Sequence, residues 1–159
     1  NIDMIKWTLF KFSIIRDVQI FISACQSGNL KAVEMIQELF EITKNDLLRG
    51  QGMRKILGII FHHTKINIIR WICEFFNITK SEIESDDNAI FVHCCIGDNV
   101  EAMEYLFSKY SINAQDILNS EFYQNEKDHF SNLVSKWIEN NLSNKYGSII
   151  NYIASFLPI

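Results

Sequence analysis

An all-α stack of helical hairpins is the fold class this sequence predicts. One apolar pattern with helical spacing recurs along the chain, helix-breaking residues are scarce, and a helix-start signal follows each copy of the pattern. With one proline, Pro158, and six glycines in 159 residues, the chain has too few breakers for a turn-rich β-sandwich. Hydrophobic residues make up 48%, enough for a sizeable core and too many for a disordered chain.

The recurring pattern is one helix face. Leu30, Val33, Ile36, Leu39 and Phe40 are spaced at threes and fours, and so are Ile66, Ile69, Ile72, Phe75 and Phe76. A third copy runs from Val100 through Met103 to Leu106, and a fourth opens the chain at Ile2 with a shortened connector behind it. Second helices of a two-helix unit are therefore expected to start near positions 2, 30, 66 and 100. The first helices are expected at 20–27, 56–63 and 89–96. They are short and almost wholly apolar, as suits helices sandwiched between neighbours.

Punctuation between the helices supports the hairpins. Gly28 and Gly97 follow first helices, where a left-handed residue ends a helix at least cost. The corresponding middle residue is Thr64, which tolerates that conformation poorly, so the middle turn is expected to be built differently. After each second helix an N-cap residue stands three before an acid: Thr43 and Asp46, Thr79 and Glu82, Asn113 and Asp116. Thr79 with Glu82 is a capping box, so each connector is expected to begin with a short helical turn and not a β-hairpin.

Residues 1–118 are read as the repeats and 119–159 as an atypical C-terminal helical cap. In the cap Phe130, Leu133, Val134, Trp137 and Ile138 form one amphipathic helix and residues 149–157 a second. The chain begins with Asn1 and in mid-repeat, so it is read as a trimmed piece of a longer protein.

The stretch Ala24-Cys25-Gln26-Ser27-Gly28-Asn29-Leu30-Lys31-Ala32-Val33 resembles the ankyrin motif, with its paired small residues, turn glycine and following helix. Ile78-Thr79-Lys80-Ser81-Glu82, then Asp87-Asn88-Ala89 and Gly97, is similar to the divergent ankyrin repeats abundant in giant viruses, amoebae and amoeba-infecting bacteria. The resemblance covers roughly residues 1–117. The Thr-Pro-Leu-His stretch that opens the first helix in that family is absent from every copy; Gln19-Ile20-Phe21-Ile22 and Asn88-Ala89-Ile90-Phe91 stand in its place. The tetratricopeptide offsets cannot be placed on this chain. What the resemblance implies is an ankyrin-like helical-hairpin solenoid with a long concave face that binds another protein.

Charge and chemistry narrow the partner class. The net charge is −4, with Lys and Arg scattered singly among acids. No basic groove for nucleic acid is expected. No apolar run approaches the roughly 18 residues of a membrane span. Cys25, Cys73, Cys94 and Cys95 sit in apolar surroundings without a disulfide framework, and read as small core residues in a reducing, cytoplasmic compartment. His93-Cys94-Cys95 is the sharpest metal suspect, but three adjacent residues on a helix point about 100° apart and cannot face one ion. Cys25 and Cys94 are read as equivalent repeat positions, and Trp7, Trp71 and Tyr105 as recurring packing groups. No nucleophile–base–acid arrangement, phosphate-cradling loop or catalytic carboxylate pair appears, so no enzyme activity, metal, cofactor or small-molecule substrate is expected.

Adjacent connectors carry opposite charges: Arg49, Arg54 and Lys55 in one, Glu84, Asp86 and Asp87 in the next. His62 and His63 end a first helix, where cations suit the negative dipole end. The expected partner-binding residues are thus Arg49, Arg54, His62, His63, Asp86 and Asp87. The alternative is an accessory or targeting domain of a larger enzyme or a host-directed effector, and the alternative to a structural role for Cys94 and Cys95 is a metal or redox site.

Overall fold

The computed structural model describes residues 18–50 and 55–143, and the regular structure among them is all helical, with no strand. In chain order the helices are α1 (Val18–Gln26), α2 (Leu30–Phe40), α3 (Lys44–Leu47), α4 (Ile56–His63), α5 (Ile66–Phe75), α6 (Lys80–Ile96), α7 (Val100–Tyr110), α8 (Ala114–Asn119), α9 (Glu121–Glu126) and α10 (Asn132–Ile138). A 3-10 turn, Lys127–His129, follows α9, and a π turn, Glu139–Ser143, follows α10. The copy expected near position 2, with Trp7, and the helix expected over 149–157 lie outside the described residues.

The units share one register, set by their caps. Asn29, Asn99 and Ser131 each accept a hydrogen bond from the backbone N–H three residues on, at 3.3 Å in all three cases. Counted from these caps, the same positions are buried in successive units: Phe40, Phe76, Tyr110 and Leu142 close the second helices, then Ile42, Ile78 and Ile112, then Leu47, Ile83 and Ile117. Between the first two sets stands a left-handed residue in each unit, at Glu41, Asn77 and Ser111, with φ near +50°. None of the three is glycine, so each helix end carries backbone strain of about 1 kcal/mol or more. Burial of the isoleucine or leucine that follows is worth about 1.5–3 kcal/mol per side chain and offsets it.

The pairs lie side by side in chain order. The first helices form one row, α1 on α4, α4 on α6 and α6 on α9; the second helices form another, α2 on α5, α5 on α7 and α7 on α10. Phe21, Leu57 and Phe91 fill the first row at one register and are fully buried. Aromatic rings join neighbouring units, Phe21 edge-on to Phe76 at 6.3 Å and Phe91 with Trp137 at 6.1 Å. Trp71, Tyr105 and Trp137 occupy one register; Trp137 donates from Nε1 to Glu104 at 3.2 Å and so ties α10 to α7. The 121–138 pair thus packs as the earlier pairs do. Phe130 lies before α10, against Tyr123 at 5.7 Å, and is not part of that helix.

Two sequence readings are corrected by this register. Gly28 is left-handed, at φ +73°, but Gly97 is not; the left-handed residue of that turn is Asp98, at φ +54°. Gly28 and Asp98 each precede the capping Asn, so Asp98, not Gly97, is the partner of Gly28. The cysteine equivalent to Cys25 is by the same register Cys95 and not Cys94. Thr64 is extended, at φ −82° and ψ 141°, so the middle turn is built differently.

Candidate recognition surface

The stack has two edges, which the first helices separate. Lys55, the N-cap residue of α4, stands at the connector edge; His62 and His63, the last two residues of that eight-residue helix, stand at the turn edge. At 1.5 Å per residue the separation is about 12 Å. The expected partner-binding residues therefore divide: Arg49, Asp86 and Asp87 lie on one edge, His62 and His63 on the other. Arg54 lies outside the described residues.

The connector edge is laced by charge. Lys44 donates from Nζ to the Asn77 carbonyl at 2.8 Å and pairs with Glu82 at 2.8 Å, both in the following unit. Lys80, at the same register, donates to the Ser111 carbonyl at 2.8 Å and pairs with its own Glu84 at 3.4 Å. Each lysine thus satisfies the carbonyl of a left-handed residue one unit away. Glu82 also accepts from Thr79 N and Oγ1 at 2.7 and 2.9 Å, and Asp46 accepts from Thr43 in the same way at 2.8 and 2.6 Å. Burial alone raises the Glu82 pKa, but the hydrogen bonds from Lys44 and Thr79 outweigh it and hold the carboxyl below its ordinary value.

Opposite connector charges meet inside the molecule. Lys55 is buried, with its ammonium 2.9 Å from Asp86 and 2.5 Å from Ser85 Oγ. Ser85, Asp86, Asp87 and Asn88 interrupt α6 with non-helical backbone, dividing it into arms over 80–84 and 89–96. Asp86, Asp87 and Asn88 are all left-handed, at φ of 53°, 60° and 60°. Asp87 accepts from Phe122 N at 3.2 Å, reaching the next unit along. Arg49 is exposed and sits 3.4 Å from the buried Asp46.

The turn edge is held by close approach. Asn99 donates from Nδ2 to the Phe61 and Thr64 carbonyls, both at 2.9 Å, while its Oδ1 caps α7. It thereby satisfies two carbonyls at the end of α4 that the helix leaves open. Gly97 lies so close to the His62 carbonyl that a methyl group there would overlap it, and Gly58 makes room for the His93 ring. His62 stacks on His63 at 4.0 Å and lies 5.9 Å from His93. Burial, then the neighbouring His63, lower the His62 pKa from 6.5 against a hydrogen bond with the Ile96 backbone.

The four cysteines are free and buried. Burial pushes the Cys25 thiol up to about 12 and raises Cys73, Cys94 and Cys95 as well, so none is a ready thiolate. Cys94 donates to the Ile90 carbonyl at 3.4 Å. Among the described residues no three His, Cys, Asp or Glu side chains are close enough to hold one metal ion, and no helix is long and apolar enough to cross a membrane. An opening of about 530 Å³ between α5 and α7 is lined by Arg70, Glu101, Glu104, Tyr105 and Lys109. Arg70 lies over the Tyr105 ring at 5.4 Å and Lys109 donates to its hydroxyl at 2.7 Å, so these groups already meet one another.

Sequence reasoning missed Lys44, Lys80 and Asn99, and it read Lys55 only as a connector charge, without its pairing to Asp86. A signal existed for the first two, since Thr43-Lys44 and Thr79-Lys80 repeat at one register. Comparison with models of protein families, with curated proteins and with solved structures finds no match to this chain.

Proposed function

We propose that the chain is an ankyrin-like repeat scaffold that binds another protein along its connector edge. The observation that carries this reading is the translational register of the units. Caps, left-handed residues and buried positions recur together, so side chains at the connectors are displayed in a repeating row. A row of this kind presents an extended surface without a deep pocket, which suits a protein partner better than a small substrate. Arg49 and Asp116, exposed on separate connectors, supply charges of opposite sign for orienting that partner, and Arg54 belongs to the same connector as Arg49. Asp86 is engaged by Lys55 and serves the fold first. His62 and His63 lie on the other edge and stand apart from this surface.

The test is affinity capture with the wild-type chain and three charge reversals: Arg49→Glu and Asp116→Lys at the connectors, and Glu34→Lys on the exposed face of α2. The reading expects a partner that the two connector variants lose and the α2 variant keeps. A partner kept by all three variants, or lost equally by all three, contradicts it.

A further inference from the structure

The lysine series along the connector edge stops after two members, and the place where it stops is an acidic opening. Lys44 and Lys80 each follow a capping threonine, but the residue after the capping Asn113 is Ala114. Glu82, the acid of the second connector, is met by Lys44 of the unit before; its counterpart Asp116 meets no such cation among the described residues, because Lys80 turns to Glu84. Beside Asp116 is an opening of about 330 Å³ lined by Glu84, Asp87, Asn88, Asp116 and Asn119. Asp87 likewise meets no cation among the described residues, and its carboxylate accepts the Phe122 N–H. Asn88 is 5% exposed, lines the opening, and has an Oδ1 with no hydrogen-bond partner.

We propose that this opening is a binding site for a guanidinium group, an arginine side chain of the partner protein. The carboxylates give it negative charge, and the unsatisfied amide oxygen calls for a donor. Among the described residues no three His, Cys, Asp or Glu side chains are gathered for one metal ion, and an extended cation can span carboxylates that stand apart. Arginine offers five donors in a planar fork and can reach separate carboxylates and an amide at once, whereas lysine offers a single point charge. The site names the chemistry of the partner and so rests on the protein-binding reading of the connector edge.

The experiment titrates the full, isotopically labelled chain with a blocked Gly-Ser-Arg-Ser-Gly peptide, its lysine counterpart, and calcium alone, followed by amide NMR. The expected result is saturable movement of the Asn88 side-chain amide and the Asp116 and Asn119 signals with the arginine peptide. Binding should be about 5-fold or more weaker for lysine, and weaker by a similar factor in Asp116→Asn. A second variant, Asn88→Gly, keeps a residue suited to φ +60° and should abolish the preference for arginine. Equal saturation by lysine or calcium, shifts spread over all acidic surfaces, or unchanged binding in Asp116→Asn would each overturn the proposal. If the peptide fails while a captured partner still depends on Arg49 and Asp116, the arginine site falls and the scaffold reading stands. If the peptide binds but no partner depends on the connectors, the reverse holds.

Discussion

The two edges of the stack join neighbouring units by different physics. On the connector edge the ties are long lysine side chains: Lys44 and Lys80 reach a carbonyl one unit away, and the buried Lys55 reaches Ser85 and Asp86. On the turn edge the ties are short: one asparagine satisfies two carbonyls, and a glycine brings backbone against backbone. Long charged ties tolerate displacement and are weakened by salt and water. Short ties in a packed place do not. The turn edge is therefore the rigid seam, and the connector edge is the side with more freedom to shift.

That contrast is broken most severely at Gly97. Gly97→Ala places a methyl onto the His62 carbonyl, and should cost about 3 kcal/mol or more in denaturant unfolding. A loss below about 1 kcal/mol would show that the seam has room to relax. Asn99→Ala removes a helix cap and leaves two carbonyls open, and a loss of about 2–3 kcal/mol is expected by the same measurement. On the other edge, Lys55→Met should cost about 1–2 kcal/mol. It leaves Asp86 without its cation, but that carboxylate is partly exposed and can turn to water, which discounts the buried-pair figure. Should Lys55→Met prove costlier than Asn99→Ala, the ranking of the two edges is wrong.

The smallest effect is a pH dependence. Glu82 has a folded pKa held below its ordinary 4.5, so the unfolded chain takes up its proton first as the pH falls. Its contribution is present in full above that value and is lost as the pH drops through the folded pKa. Glu82→Gln should therefore be less stable than wild type at pH 7, with the gap closing below about pH 4. A gap that stays constant to pH 3 would mean that the carboxylate charge is not what Lys44 and Thr79 recognise.

Much of the helical layout was legible because the apolar residues keep a spacing of three and four, and because the cap signals at Thr43, Thr79 and Asn113 follow each copy. The turns were less so. Gly97 invites a left-handed assignment by its type, yet the conformation falls on Asp98, since the close approach to His62 claims the glycine. Residue type records the tightest of several local demands, and the sequence does not say which. The break within α6 was hidden for a related reason. Asp86, Asp87 and Asn88 tolerate the left-handed region without announcing it. Of the candidate surface, the charges were readable but their pairing was not. Lys55 and Asp86 are 31 positions apart in sequence, and only the packing of α4 on α6 brings them to 2.9 Å. The histidines stand apart from the connector charges because α4 has two ends, and the two groups lie at opposite ones.

The central claim is that each helix pair touches only the pairs next to it in the chain. Nuclear Overhauser contacts between labelled methyl groups test it most directly. Contacts should run from Ile22 to α4, from Ile60 to the 89–96 arm, and from Leu106 to Val134 or Ile138, with none from Ile22 or Val33 to Val134, Ile138 or Leu142. A contact between those first and last sets would mean that the helices close around one shared centre, and the repeat-scaffold account would be wrong.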